Sequence, residues 1–361
     1  MVKAWKTRGL NDDKNLYDVY DGDVWKNFKL DENDEVPFVD QSDNNLMLSI
    51  GVDCYQNYTY SVHLTGAIYL TILNLPKEMR DSKDFVILSG LMPGPRESKL
   101  DEINNYLAPL VEELKDLMNG VEMTLPNRSK ITVKAALTLV VADLPAAAKL
   151  CGFALYNGIC ACRKCERQFS AVVEGAAPRD YSGWEDETWT PRTKASNLTH
   201  ALEWKAASNT AQKTALVQKH GTRWSQLHLL EYFNPVDFTV IDPMHNLYLG
   251  TCKRIMVNMW IPDKDIVLAD RVRMSSLCGR IILPFGYNHG SIARKMLIGD
   301  GFGHMKGSEW LVFSVRLSPV ILKGILSSVK YDNWMLYVKA LQLLSSKSVS
   351  LVDLNAAHVL F

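Results

Sequence analysis

The feature that most constrains the fold is a series of apolar, strand-type segments between residues 45 and 145, interrupted once by a helix-type segment. The strand-type segments are rich in β-branched and aromatic residues, and each is closed by turn residues or an acid. They are NLMLSIGVD (45–53), YSVHLTGAIYLTILNL (60–75), DFVILSGLMPG (84–94) and ITVKAALTLVVADLP (131–145). Apolar residues at helical spacing over residues 100–120, followed by Gly120, predict one helix before the fourth strand. A short helix is expected to begin in AAAKLCGF, directly after that strand.

The order of these elements predicts an α/β protein with an RNase H-like mixed sheet flanked by helices. The first three strands would pair as a meander, and the fourth would join beside the first. Asp53 and Asp143 would then lie on neighbouring strand ends, where two carboxylates could bind divalent cations jointly. Strands also end in Asp because Asp favours turns, so the pattern leaves both explanations open.

The rest of the chain indicates how this core is divided. The predicted boundaries are a loosely packed lead-in at 1–44, the first part of the core at 45–165, an insertion at 166–236, the last part of the core with the C-terminal helices at 237–345, and a tail at 346–361. The insertion is polar and irregular, with a helix candidate in LTHALEWKAASNTAQKTALVQKH, and it precedes the last helix of the core. Residues 235–260 predict a β-run into a helix, and Pro319 is expected to kink or divide a late helix.

Composition limits the classes of function. The 361 residues carry 40 basic and 40 acidic side chains, which argues against a globally basic nucleic-acid binder but not against a local basic face. The first residues lack the apolar core of a signal peptide, and no stretch approaches the roughly 20 apolar residues of a membrane span, so no membrane partner is expected. Seven cysteines, an odd number with three in CACRKC, favour a reducing compartment over a disulfide framework.

The CACRKC segment offers Cys162 and Cys165 as a C-x-x-C pair, with Cys160 two residues before it. Thiolates at this spacing can bind one tetrahedral Zn²⁺ from a tight turn, and His245 is a distant candidate ligand. No second C-x-x-C or H-x-x-x-H completes the set. The alternative is a pair of reduced, partly buried thiols.

The segment VIDPMHNLYLG (240–250) carries Asp242 three residues before His245. Asp242 suits a helix N-cap and Pro243 a first helical position, which explains both residues without any function. His245 is not explained in this way. It is either a hydrogen-bonded core residue or a ligand.

Glu309 in KGSEWLVF is expected at the start of a late helix that Ser308 could cap. An acid in the first turn suits the helix dipole, and it could equally reach the two strand-end acids. The chain has no G-x-x-x-x-G-K, G-x-G-x-x-G, G-x-S-x-G or H-E-x-x-H motif, which disfavours hydrolase and kinase functions.

Taken together, these segments resemble the transposase domain of CACTA (En/Spm-type) DNA transposons, in the DDE/RNase H-like superfamily. The resemblance runs in family order over about residues 16–345. Its strongest blocks are PGP…PLVEELKDLMNGV and DPMHNLYLGT; the others include LYDVYDG, LMLSIGVD, ILNLPKEMR, ALTLVVADLPAAAKLCGF, CACRKC and HGTRWSQL.

The resemblance implies roles for particular residues. Asp53 matches the first catalytic acid and Asp143 the second, while Glu309 is the choice for the third, with Asp300 as its rival. Asp242 and His245 match the D-x-x-H signature that several transposase families carry near the active centre. Cys162 and Cys165 match the C-x-x-C of the family.

The activity implied is metal-dependent cleavage and transfer of DNA strands. Two Mg²⁺ or Mn²⁺ ions about 4 Å apart would be held by the three acids and would activate water or a DNA 3′-hydroxyl. DNA (transposon ends and target) is the implied partner, the nucleus the implied location, and a homo-oligomer is compatible with the resemblance. Local positive charge would hold the DNA. The candidates are Lys253, Arg254, Arg271 and Arg273, followed by Arg280, Arg294 and Lys295.

Two differences from the family suggest alternatives to an active transposase. Cys54 follows the first acid where related sequences usually have glycine, which could shift the backbone of a metal site. Related proteins are considerably longer, so the chain is expected to be a fragment, a decayed copy or a domesticated protein. The main alternative is therefore a catalytically inactive, transposon-derived module that binds DNA or protein. A structural zinc protein is the third possibility.

Overall fold

The computed structural model describes residues 2–7, 15–56, 58, 60, 63–80, 82–173, 179–183, 189–284 and 291–361. Parts of the predicted lead-in, second strand and insertion lie outside these residues. The chain divides into two compact units. The first unit comprises Met1–Leu10 and Val19–Val240, and the second comprises Asn11–Asp18 and Ile241–Phe361.

The first unit contains one mixed five-stranded sheet. Its strands are β1 (Asn45–Gln56), β2 (Leu64–Ile72), β3 (Val86–Met92), β4 (Val121–Thr124) and β5 (Lys130–Val140), in the order β3-β2-β1-β5-β4. Strand β1 pairs with β5 in parallel, and the other three pairings are antiparallel. The predicted mixed α/β class is confirmed, and so is the position of the predicted fourth strand, now β5, beside the first. The RNase H-like identity of the fold and the insertion stay predictions.

Eight α-helices accompany the sheet in the described part of the first unit. They are α1 (Asp23–Asn27), α2 (Phe38–Gln41), α3 (Lys77–Arg80), α4 (Ile103–Asn119), α5 (Leu144–Cys151), α6 (Lys194–Ala206), α7 (Thr210–His220) and α8 (Pro235–Phe238), with 3₁₀ turns at Ala4–Thr7, Val19–Asp21 and Gln226–Leu229. Helix α4 is the helix predicted over 100–120. It buries the predicted apolar stripe of Ile103, Leu107, Leu110, Val111 and Leu114. Gly120 ends it with a φ of 107°, a conformation that favours glycine.

The first hydrophobic core is larger than the sequence suggested. Trp25, Phe28, Phe38 and Val39 from the predicted lead-in are all buried in it, and the rings of Phe28 and Phe38 lie 5.8 Å apart edge to face. The expectation that this segment is loosely packed is therefore wrong for these residues. Isolated aromatic side chains in a polar segment gave no periodic signal, although each ring buries a large apolar area.

The β-run predicted before Asp242 is also wrong for most of its length. Residues Pro235–Phe238 form α8 because the Asn234 side chain accepts hydrogen bonds from the amides of Val236 and Asp237, and Pro235 occupies the first turn. Only Thr239 makes a β-bridge, in parallel with Val140. Local capping therefore overrides the β-propensity of this segment.

The described residues of the second unit are mainly helical. Its helices are π1 (Met244–Cys252), π2 (Arg254–Trp260), α9 (Leu268–Arg280), α10 (Ile292–Lys295), α11 (Gly307–Val312), π3 (Phe313–Leu317), α12 (Ser318–Ile321), α13 (Ser328–Leu344) and α14 (Leu351–Leu360). Pro319 lies in the first turn of α12, which follows π3 without a break, so the kink or division expected at Pro319 stays a prediction. The core is centred on Trp310, Phe313 and Trp334, and Leu16 adds an antiparallel bridge to Val349. None of the described helices has both the length and the apolar character that crossing a bilayer requires.

Candidate functional site: acids at the edge of the sheet

Asp53 and Asp143 lie at matched positions on the two parallel strands. Ile50 of β1 pairs with Val140 of β5, and the Val141 amide donates to the Ile50 carbonyl over 2.9 Å. Each aspartate is three residues beyond that pair, towards the carboxyl-terminal ends of both strands, but only Asp143 lies beyond its strand, because β1 continues to Gln56. The prediction that Asp53 lies at a strand end is therefore wrong. Asp53 is exposed and still within β1, where it pairs with Ala67 of β2, whereas Asp143 is partly buried beyond the end of β5.

Asp143 also has a structural task. Its Oδ1 accepts a hydrogen bond of 2.8 Å from the Ala146 amide and caps α5, whose first turn contains Pro145. An Asp-x-Pro sequence at a helix start satisfies an otherwise unpaired amide and needs no further explanation. The capping role and a metal-binding role are compatible, because a carboxylate has two oxygens and several acceptor positions.

The pKa of the Cys54 thiol shows which charged groups lie near these acids. Burial is the main cause that raises its pKa, and the negative charges of Glu97, Asp53 and Asp143 raise it further, while Lys149 opposes them. Three carboxylates therefore act on one half-buried thiol. Glu97 forms an ion pair with Lys149 across 52 positions of sequence, a contact that no local sequence pattern predicts.

Asp242 and His245 are joined in the second unit. The Nδ1 atom of His245 is hydrogen-bonded to Oδ2 of Asp242, and Oδ1 of Asp242 accepts from the Met244 amide over 2.9 Å. Asp242 thus performs the predicted capping role at the start of the helical segment. His245 is hydrogen-bonded as well, with a side chain that is 36% exposed, so its ring edge is accessible to a ligand.

Glu309 lies in the second unit at the start of α11. Its carboxylate accepts hydrogen bonds from the Lys295 ammonium (2.8 and 2.7 Å), from the Lys306 amide (2.7 Å) and from the Ser291 hydroxyl. The ion pair with Lys295 is largely buried, with 13% and 10% of the two side chains exposed. Glu309 itself therefore caps α11, and the expectation that Ser308 does so is wrong. The rival acid, Asp300, is exposed.

The predicted basic residues are not equivalent. Lys253 and Arg254 are exposed and line a shallow cavity of about 420 Å³ together with Leu249, Gly250, Asn258 and Met259. Arg273 is exposed on α9. Arg271 is instead partly buried, and a Cβ at Gly301 would come within 2.8 Å of its Nη1 atom. The first two residues are the better candidates for contacts with an anionic partner.

The cysteine pair lies in the first unit. The Lys164 amide donates to the sulfur of Cys162 over 3.3 Å, and burial, together with the neighbouring Cys162 thiol, raises the pKa of the Cys165 thiol. Cys160 accepts a hydrogen bond of 3.0 Å from Arg192, a buried guanidinium. Amide donors on a C-x-x-C turn suit thiolate ligands, so the pair could supply two ligands of a zinc site.

No metal site is complete among the described residues. Within them, no group of three or more His, Cys, Asp or Glu side chains is placed to hold a metal ion. The pair Asp53 and Asp143 nevertheless has the donor chemistry that Mg²⁺ and Mn²⁺ prefer, since such ions are often bound by one or two carboxylates with waters and substrate phosphates.

A comparison with known families bears on this geometry. Residues 13–180, just under half of the chain, match the model of the family described as Transposase family tnp2. The matched region contains Asp53, Asp143, Cys162 and Cys165. It supports a transposase family for this chain, and such a family implies DNA binding in general. A comparison with curated proteins gave no match.

Proposed function

We propose that the chain is the transposase domain of a CACTA-type DNA transposon and that it cuts and joins DNA strands with divalent metal ions. The observation that carries the proposal is the equal offset of Asp53 and Asp143 beyond the paired residues Ile50 and Val140 on parallel strands. The transposase family match over residues 13–180 supports it independently. Glu309 is proposed as the third acid on the resemblance alone.

In this proposal Asp53 and Asp143 hold Mg²⁺ or Mn²⁺ through carboxylate oxygens. The chemistry that the bound ions supply is activation of water or a DNA 3′-hydroxyl and stabilisation of the leaving oxygen. The chain itself contributes the position of the ligands. Strand pairing fixes the backbone of Asp53 in β1, and the cap of α5 holds the carboxylate of Asp143 before DNA arrives.

The remaining candidates receive roles in DNA binding and structure. Asp242 orients His245 through Nδ1, which directs Nε2 outward for a hydrogen bond to a phosphate or to an incoming DNA end. Lys253 and Arg254 contact phosphates, and Cys162 with Cys165 binds zinc. The same proposal includes a nuclear location and leaves a homo-oligomer as a testable addition.

One observation favours the alternative, an inactive module that binds DNA or protein. Both oxygens of Glu309 are engaged by Lys295, and its helix start uses the same carboxylate. A catalytic role for Glu309 would require the ion pair with Lys295 to be exchanged for a metal ion. If it is not exchanged, Asp53 and Asp143 lack this third ligand.

The experiment is titration of Mn²⁺ into the protein by calorimetry, with and without duplex DNA, followed by a strand-cleavage assay on labelled duplex. The test variant is Asp53→Asn with Asp143→Asn, because Asn is an equally good N-cap and preserves the start of α5. The matched control is Asp84→Asn with Asp116→Asn, which removes the same charge from two exposed acids of the first unit.

Loss of Mn²⁺ binding and of cleavage in the test variant, with both retained in the control, is the expected result. A folded parent that binds no Mn²⁺ even with DNA present would refute the carboxylate site. Mn²⁺ binding without strand cleavage would favour the inactive module. Glu309→Gln then distinguishes a metal-binding role of Glu309 from a structural one. If Glu309 is only structural, the variant is less stable but binds Mn²⁺ with unchanged affinity.

A further inference from the structure

The helices α6 and α7 carry a concentration of positive charge that the neutral total conceals. Between Lys194 and His220 there are four lysines and one acid, Glu203, in a chain whose formal charge is zero. Helix α7 has no acidic residue and no buried side chain. A helix that contributes no side chain to the core and carries one sign of charge is available for contact with an anionic partner.

Two of the lysines contact aromatic rings, which do not cancel their charge. The Lys213 ammonium lies 4.4 Å from the ring centre of Trp204, and the Lys205 ammonium lies 3.7 Å from that of Trp224. The rings of His200 and His220 stack at 3.7 Å and link α6 to α7. Because an aromatic ring is neutral overall, each lysine keeps its full positive charge.

Glu203, the single acid of the two helices, pairs with His220 and with none of these lysines, while Glu166 from outside the helices also acts on His220. The Glu203 carboxylate lies 3.8 Å from the His220 ring nitrogen. Among the residues that the structure describes, Lys205, Lys213 and Lys219 form no ion pair, whereas Lys115 and Lys130 of the same unit pair with Glu112 and Glu122.

The remaining side chains of α7 identify the class of partner. Gln212, Thr214 and Gln218 of α7 are exposed, and uncharged donors of this kind commonly contact DNA phosphates together with Lys. A membrane-surface helix would instead present a broad apolar face with Trp, Phe or Leu, and α7 offers only the half-buried Leu216 and Val217.

We infer that the α6–α7 surface, defined by Lys205, Lys213 and Lys219, binds the phosphate backbone of duplex DNA. This inference rests on the proposed function, since it names a surface that holds the DNA on which the acids act. It lies outside the residues of the family match, which end at residue 180. The contact is expected to be independent of base sequence, because hydrogen bonds from lysines to phosphates position a protein on DNA without contacting the bases.

The test measures binding of a fluorescent, random-sequence DNA duplex to the full chain by anisotropy over a series of salt concentrations. The test variant is Lys205→Gln, Lys213→Gln and Lys219→Gln. Its matched control is Lys83→Gln, Lys115→Gln and Lys130→Gln, which removes the same charge elsewhere in the first unit. The single charge reversal Lys219→Glu serves as a second variant, because Lys219 is exposed and its substitution does not threaten the fold.

We expect the triple variant to bind DNA at least about tenfold more weakly than the parent. The slope of log K against log salt concentration should also become less steep, by about 0.9 for each phosphate contact removed and thus by up to about 2.7. Lys219→Glu should weaken binding as well, and the control should not. DNA binding by the parent with unchanged binding by both test variants overturns this inference alone. Absence of DNA binding by the parent overturns the proposed function with it, and equal binding of single-stranded RNA overturns the assignment to duplex DNA.

Discussion

Acidifying the protein from pH 7 to pH 4 should destabilise the first unit through one partly buried imidazole, that of His228. The Nδ1 atom of His228 accepts from the Ser225 amide at 3.1 Å, and its Nε2 lies 2.9 Å from Oδ1 of Asn197. Its ring also stacks on Trp224 at 5.2 Å. Burial, and to a lesser extent the charge of Lys205, lowers the pKa of His228 from 6.5 to about 4, against the Ser225 backbone, which raises it.

The sign and size of the effect follow from this pKa. Between pH 6.5 and pH 4 the unfolded chain takes up a proton on His228 and the folded protein does not. Stability from this group is therefore complete above about pH 6.5 and is lost as the pH falls towards 4. The interval from 6.5 to about 4, at about 1.4 kcal/mol for each pH unit, corresponds to about 3 kcal/mol.

The measurement compares the parent with His228→Gln in guanidinium unfolding at pH 7, 6, 5 and 4. Gln retains an acceptor for the Ser225 amide, as in a capping box, but has no proton to gain. The variant should therefore lose about 3 kcal/mol less than the parent between pH 7 and pH 4. The pKa of His228 is read directly by NMR of its ring. A value between 6 and 7, or equal pH dependence of parent and variant, would show that the reasoning is wrong.

Two further substitutions test single contacts of the fold. Tyr232→Phe should cost about 1 to 3 kcal/mol in the free energy of unfolding, because the Tyr232 hydroxyl accepts from the Leu137 amide over 2.9 Å and its removal leaves a buried donor unpaired; an unchanged denaturation midpoint would contradict this. Glu309→Gln should lower the free energy of unfolding by about 3 kcal/mol, because it leaves the buried Lys295 ammonium without its counter-ion. The double variant Glu309→Gln, Lys295→Met should recover part of that loss in the same assay. Equal losses in the single and double variants would argue against the ion pair as the cause.

The parts of the fold that sequence predicts are those with a long periodic signal. Helix α4 shows one over 17 residues, and the apolar strands β1 and β5 are buried along most of their length. Strand β4 was not predicted because VEMT is short, and three of its four side chains are exposed. The β-propensity of residues 235–240 does not determine their structure, because the cap provided by Asn234 starts α8 there.

Sequence likewise predicts some features of the candidate site, while others depend on tertiary packing. The parallel pairing of the two strands that carry Asp53 and Asp143 follows from element order, whereas the two strands end at different levels, because β1 continues to Gln56 and β5 ends at Val140. The ion pair between Glu97 and Lys149, and the one between Glu309 and Lys295, depend on tertiary packing. Sequence identified Glu309 as an acid in a first helical turn and could not identify its cation. The positive charge of α6 and α7 is not visible in the total charge of the chain, because acidic residues elsewhere in the sequence balance it.

The N-terminal segment around Leu16 belongs to the second unit, which affects how that unit can be produced as a separate fragment. Leu16 and Val349 exchange two backbone hydrogen bonds, of 2.8 and 2.9 Å, just before α14 begins, although the residues that follow Leu16 soon enter the first unit. The second unit is therefore discontinuous in sequence. A fragment starting at residue 241 would leave the amide and carbonyl of Val349 without these partners, so α14 should fray first. A peptide covering residues 15–18, supplied separately, should protect the Val349 amide from hydrogen exchange.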